Sequence, residues 1–162
     1  MDALRTAGAT RVLVLSMYPQ YSAATSASVF AAVAAWGRKA RWVPELRFVQ
    51  QYHDDPGYID ALAGQVRDHW QRAGRGGVLV MSFHGVPERT LQLGDPYHCT
   101  CHKTARLLAQ RLGLGKNDFR VTFQSRQCSF GVTQYIAIIS IQGYIVPCFN
   151  PQIFTKPIGK YF

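Results

Sequence analysis

Short apolar runs alternate along the chain with longer stretches whose apolar residues recur at helical spacing. Residues 12–17 (VLVLSM) and 77–83 (GVLVMSF) are almost continuously apolar, the pattern of strands covered on both faces. Residues 45–50 (ELRFVQ) and 119–123 (FRVTF) read as two further strands from their apolar and aromatic content. Between the first two strands, Ser and Thr residues suited to capping precede an Ala-rich segment, which predicts a helix over 26–36. A second helix follows Asp54 or Asp55 as N-cap, with Pro56 in its first turn and Gly74 at its end. Ile59, Leu62, Val66 and Trp70 fall on one of its faces. A third helix is predicted from about residue 100 to 112, with Ala105, Leu108 and Leu112 inward and Gly113 just beyond.

The order β-α-β-α-β-α-β implies an α/β fold, a Rossmann-like open parallel sheet with helices on both faces. In such sheets ligands bind outside the carboxyl ends of the strands. His84 stands there, directly after the third strand and before Gly85. Ser82 and Gly85 beside it are small enough for a ligand to approach the backbone.

Composition divides the chain near residue 126. Before it there is one isoleucine, Ile59, and 25 charged residues; after it come seven isoleucines, no leucine, no acidic residue and only two charges, Lys156 and Lys160. Strand-type residues in YIAIISIQGYIV make 127–162 β-prone. Folding physics does not account for so complete a change of vocabulary, so the segment reads as foreign to the preceding fold: a β-prone or disordered tail.

The formal net charge of +9 suggests an acidic ligand or surface. The cations are scattered, however, with no basic stripe interleaved with aromatics, and nucleic-acid binding is not expected. No apolar run approaches the roughly 18–20 residues that span a bilayer, and the start of the chain lacks the features of a secretory signal. A cytoplasmic protein is expected, with its four cysteines as thiols or ligands rather than disulfides.

Residues 78–104 (VLVMSFHGVPERTLQLGDPYHCTCHKT) hold three histidines and two cysteines. His98, Cys99, Cys101 and His102 invite a zinc reading. One residue between the thiols is too few for a zinc knuckle, and no third ligand of the H-E-x-x-H type follows, so polar residues at a helix entry are the simpler reading. Neither glycine-rich phosphate motif occurs, and SFHG is not a nucleophile elbow. Tyr18 and Tyr21, at the end of the first strand, are candidates to line a pocket.

Taken together, YPQYS at 18–22, YHDDPGYIDALA from 52, SFHGVPERTLQLGDPYHCTCHKTARLLAQRLGL from 82 and FQSR at 123–126 resemble ferrochelatase. The likeness runs from about residue 8 to 126, so 1–126 reads as the central part of a chelatase-type α/β fold. The resemblance implies a lyase of haem biosynthesis that inserts Fe²⁺ into a porphyrin, protoporphyrin IX or coproporphyrin III. It further implies that His84 is the active-site histidine, catalytic and metal-binding, with Tyr18 and Tyr21 in the porphyrin pocket. No cofactor beyond the Fe²⁺ substrate is expected; an iron–sulfur cluster is not assigned to Cys99 and Cys101, and membrane contact is at most peripheral. Family chains are about twice this length, and their glutamate facing the histidine has no counterpart here. The chain is therefore expected to be inactive by itself. The alternative is a non-catalytic porphyrin- or metal-binding fragment.

Overall fold

The computed structural model describes residues 1–124 and the backbone of 137–140 and 144–147. In chain order the elements are α1 (Asp2–Thr6), β1 (Arg11–Leu15), α2 (Ser26–Gly37), β2 (Glu45–Val49), α3 (Pro56–Ala73), β3 (Leu79–His84), α4 (Glu88–Gln92), α5 (Tyr97–Leu112), β4 (Phe119–Gln124), β5 (Ala137–Ser140) and β6 (Tyr144–Pro147). All four strands and three helices predicted over residues 12–123 form. The short helices α1 and α4 were not foreseen, and α5 begins at Tyr97 rather than near residue 100, which places His98 and Cys99 on the helix.

The strands make two parallel pairs. β1 runs beside β2, with Arg11 opposite Glu45 and Leu15 opposite Val49. β3 runs beside β4, from Leu79 opposite Phe119 to His84 opposite Gln124. The fold is mixed α/β with helices against short parallel pairs, but the two pairs do not form one continuous sheet. The second edge of β3 is taken by β5, antiparallel, and β5 pairs in turn with β6, giving the order β4-β3-β5-β6. A strand edge needs partners for its N–H and C=O groups; residues Leu79, Val80, Met81 and Ser82 find them in β5. The other pair is more open: β2 has no buried residue, and Phe48 is 41% exposed.

The core lies between β3, α3 and α5. Leu62, Ala63 and Val66 from α3 meet Leu79, Met81 and Phe83 from β3 and Tyr97, Cys101, Ala105, Leu108 and Ala109 from α5. Helical spacing dictates the contributing positions: the buried residues of α3 and α5 recur every three or four residues. Asp55 starts α3 by accepting from the N–H groups of Gly57 (2.9 Å) and Tyr58 (3.1 Å). Gly113 ends α5 in the left-handed conformation, at φ +68°, which a side chain would strain. Among the described residues no helix is long and apolar enough to cross a membrane.

Candidate active site at the carboxyl ends of the strands

His84 is the last residue of β3 and not the first of the loop, a correction of one position. It is half-buried. The ladder continues past it, since the Gly85 N–H donates to the Gln124 carbonyl at 2.6 Å. One pleat earlier, Gln124 Nε2 donates to the buried Ser82 hydroxyl at 2.6 Å. The backbone carrying His84 is thus fixed from both sides, while its imidazole has no hydrogen-bonded or ion-paired carboxylate among the described residues.

Tyr18 and Tyr21 are half-buried in the loop after β1. That loop is tied to others at the same end of the strands. The Tyr52 N–H, after β2, donates to the Pro19 carbonyl at 3.0 Å. Asp95, just before α5, accepts at Oδ2 from the Ser22 hydroxyl (2.9 Å) and the Ala23 N–H (2.8 Å), and at Oδ1 from the Tyr97 N–H (3.0 Å). The buried Gln20 donates from Nε2 to Thr104 Oγ1 at 3.0 Å, and Thr104 Oγ1 donates to the His53 carbonyl at 2.9 Å. Three sequence segments, YPQYS, YHDD and GDPYHCTCHKT, are therefore cross-linked, two of them loops and the third the entry and first turns of α5. Among the described residues, no hydrogen bond or ring contact joins His84 directly to either tyrosine.

Sequence reading overlooked Gln20, His53, Asp95 and Thr104 as components of this group. The available signal was weak: polar residues next to the quoted segments, with partners up to 84 positions away. His53 is 3% exposed, and neither ring nitrogen has a hydrogen-bond partner. Burial lowers its pKa below the ordinary value of 6.5, outweighing nearby Asp54.

The downstream histidines and cysteines separate. His98 and His102, one helical turn apart on α5, have ring centroids 4.6 Å apart, and both rings pack on Phe123, His98 at 4.9 Å and His102 at 5.5 Å. Cys99 is exposed, whereas Cys101 is fully buried in the core. Burial pushes the Cys101 thiol up to about 12, so it does not supply a thiolate at neutral pH. Among the described residues there is no group of three or more His, Cys, Asp or Glu side chains placed to hold one metal ion.

A family model described as ferrochelatase matches residues 1–133. The chain belongs to the ferrochelatase family. It is 62% identical over 136 residues to the ferrochelatase of Polaromonas sp., covering 84% of this chain and 36% of the relative. The ferrochelatase of Methylibium petroleiphilum is 63% identical over 136 residues, with 84% and 37% covered. That of Janthinobacterium sp. is 56% identical over 157 residues, with 97% and 40% covered. The chain spans a little over a third of the length of these curated ferrochelatases.

Proposed function

We propose that this chain acts in the insertion of Fe²⁺ into a porphyrin, protoporphyrin IX or coproporphyrin III, in the cytoplasm, with His84 as the reacting side chain. The observation that carries the reading is the position of His84: half-buried, at the carboxyl end of the most buried strand, inside a segment shared with ferrochelatases. Metalation releases two pyrrole protons, and a histidine is the side chain whose ordinary pKa suits a proton acceptor near neutrality. A neutral imidazole is also an apt donor for ferrous iron on its way to the ring nitrogens. Tyr18 and Tyr21 face the porphyrin from the loop after β1, whose bonds to Asp95 and Tyr52 hold it against α5 and the loop after β2. By composition residues 127–162 read as an added segment, yet the alignment to the Janthinobacterium ferrochelatase covers 97% of the chain and so extends into them.

A second reading, non-catalytic binding of porphyrin or metal, is favoured by one observation. No carboxylate is paired with His84 among the described residues, so nothing described relays the pyrrole protons onward. The assay that separates the two is porphyrin metalation followed by absorbance, with Fe²⁺ under anaerobic conditions and Zn²⁺ as surrogate. Turnover abolished in His84→Ala supports catalysis. Stoichiometric porphyrin binding without turnover, weakened in His84→Ala, supports the binder. Binding and turnover that are both indifferent to His84→Ala would falsify its assigned role.

A further inference from the structure

A cavity of about 830 Å³ opens between α5 and β4, and His84 is not among its lining residues. Its floor is apolar: Ala109, Leu114, Phe119 and Val121. Its walls carry Lys103, Arg106 and Lys116, and no acidic residue lines it. Lys103 is ion-paired with Asp54 at 2.6 Å outside the cavity, while Arg106 and Lys116 have no acidic partner among the described residues. His98, stacked on Phe123, and His102, tilted against it, also line the cavity. Burial and the neighbouring His98 lower the pKa of His102, so His102 adds no charge to the walls at neutral pH.

We propose that this cavity binds a small amphiphilic anion: a flat aromatic or apolar body carrying a carboxylate, sulfonate or phosphate. An apolar floor recovers free energy by covering a ring system, and cavities of this size hold ligands of a few fused rings. Two cations without an acidic partner among the described residues select the charge of that ligand and repel a metal cation, although two imidazoles stand at the edge. The inference is independent of the role of His84.

The probe is anilinonaphthalene sulfonate, titrated against the full chain by fluorescence, with its place mapped by amide chemical shifts. Binding with shifts at Gln110, Leu114 and Lys116 is expected, unchanged in His84→Ala. The paired substitution Arg106→Glu and Lys116→Glu, both at exposed positions, should weaken it about tenfold or more. Uncharged N-phenylnaphthylamine should bind more weakly than the sulfonate. Should the double variant misfold, the single Arg106→Gln carries the same test with a smaller expected effect. Equal affinity in the charge variants, equal affinity for the uncharged probe, shifts elsewhere, or no binding because the chain itself fills the cavity would each overturn the proposal.

Discussion

Thr104 shows how much one side chain holds together. Its hydroxyl accepts from Gln20 and donates toward the carbonyls of His53 (2.9 Å) and Thr100 (3.1 Å), all in a buried setting. Thr104→Val keeps the shape and removes the polar atom, leaving the Gln20 amide buried without its acceptor. The expected loss is about 1–3 kcal/mol, read from urea unfolding. His53, alongside, makes stability depend on pH. Its folded-state pKa lies below 6.5, so the unfolded chain binds the proton more readily. Its contribution is complete above pH 6.5 and is lost as pH falls through the depressed folded value. Melting temperatures of the parent should therefore drop between neutral pH and mild acid more steeply than those of His53→Gln. Parallel curves would show that His53 is not the titrating group. His102, also depressed, contributes in the same direction and remains in both proteins.

Elements were legible where their signals were local. Asp55, Pro56, the apolar stripe and Gly74 announce α3 within a single stretch of sequence, and the helix runs from Pro56 to Ala73 as those residues require. Asp55→Ala should cost about 1 kcal/mol by leaving two helix-terminal N–H groups without their acceptor, measurable as a shift in the urea midpoint. The start of α5 was misplaced for the complementary reason. Pro96 provides no side-chain cap, and the bond to the Tyr97 N–H comes from Asp95 one residue further back. β1 and β2 illustrate the other limit. Continuous apolar character foretells a strand, but not which strand will lie beside it. Here β3 pairs on its free edge with β5 rather than with β1. The helical placement of His98 and His102 had been visible only as an i,i+4 spacing, whereas their shared packing on Phe123 depends on where β4 ends.

At the scale of the molecule, the β1–β2 and β3–β4 pairs are joined by loop chemistry and not by a common sheet ladder. The sequence placed His84 at a strand end and Tyr18 and Tyr21 at another; it held no indication that side-chain bonds from Asp95 and Thr104 tie the loop carrying the tyrosines to α5 and to the loop after β2. Asp95 is the critical link, because its carboxylate holds the loop after β1 and the first turn of α5 at once. Replacing it with alanine strands a buried serine hydroxyl and two backbone N–H groups while leaving the core between α3, α5 and β3 untouched. The expected result is local rather than global opening. Amide exchange should accelerate at residues 20–24 and in the first turn of α5, with protection in the middle of α3 retained. Porphyrin affinity should fall together with protection at 20–24, even though His84 is intact, if the tyrosines of that loop line the pocket. Unchanged exchange at 20–24 would mean that packing alone holds the loop. Faster exchange with unchanged porphyrin affinity would instead remove Tyr18 and Tyr21 from the site and leave His84 to be tested without them.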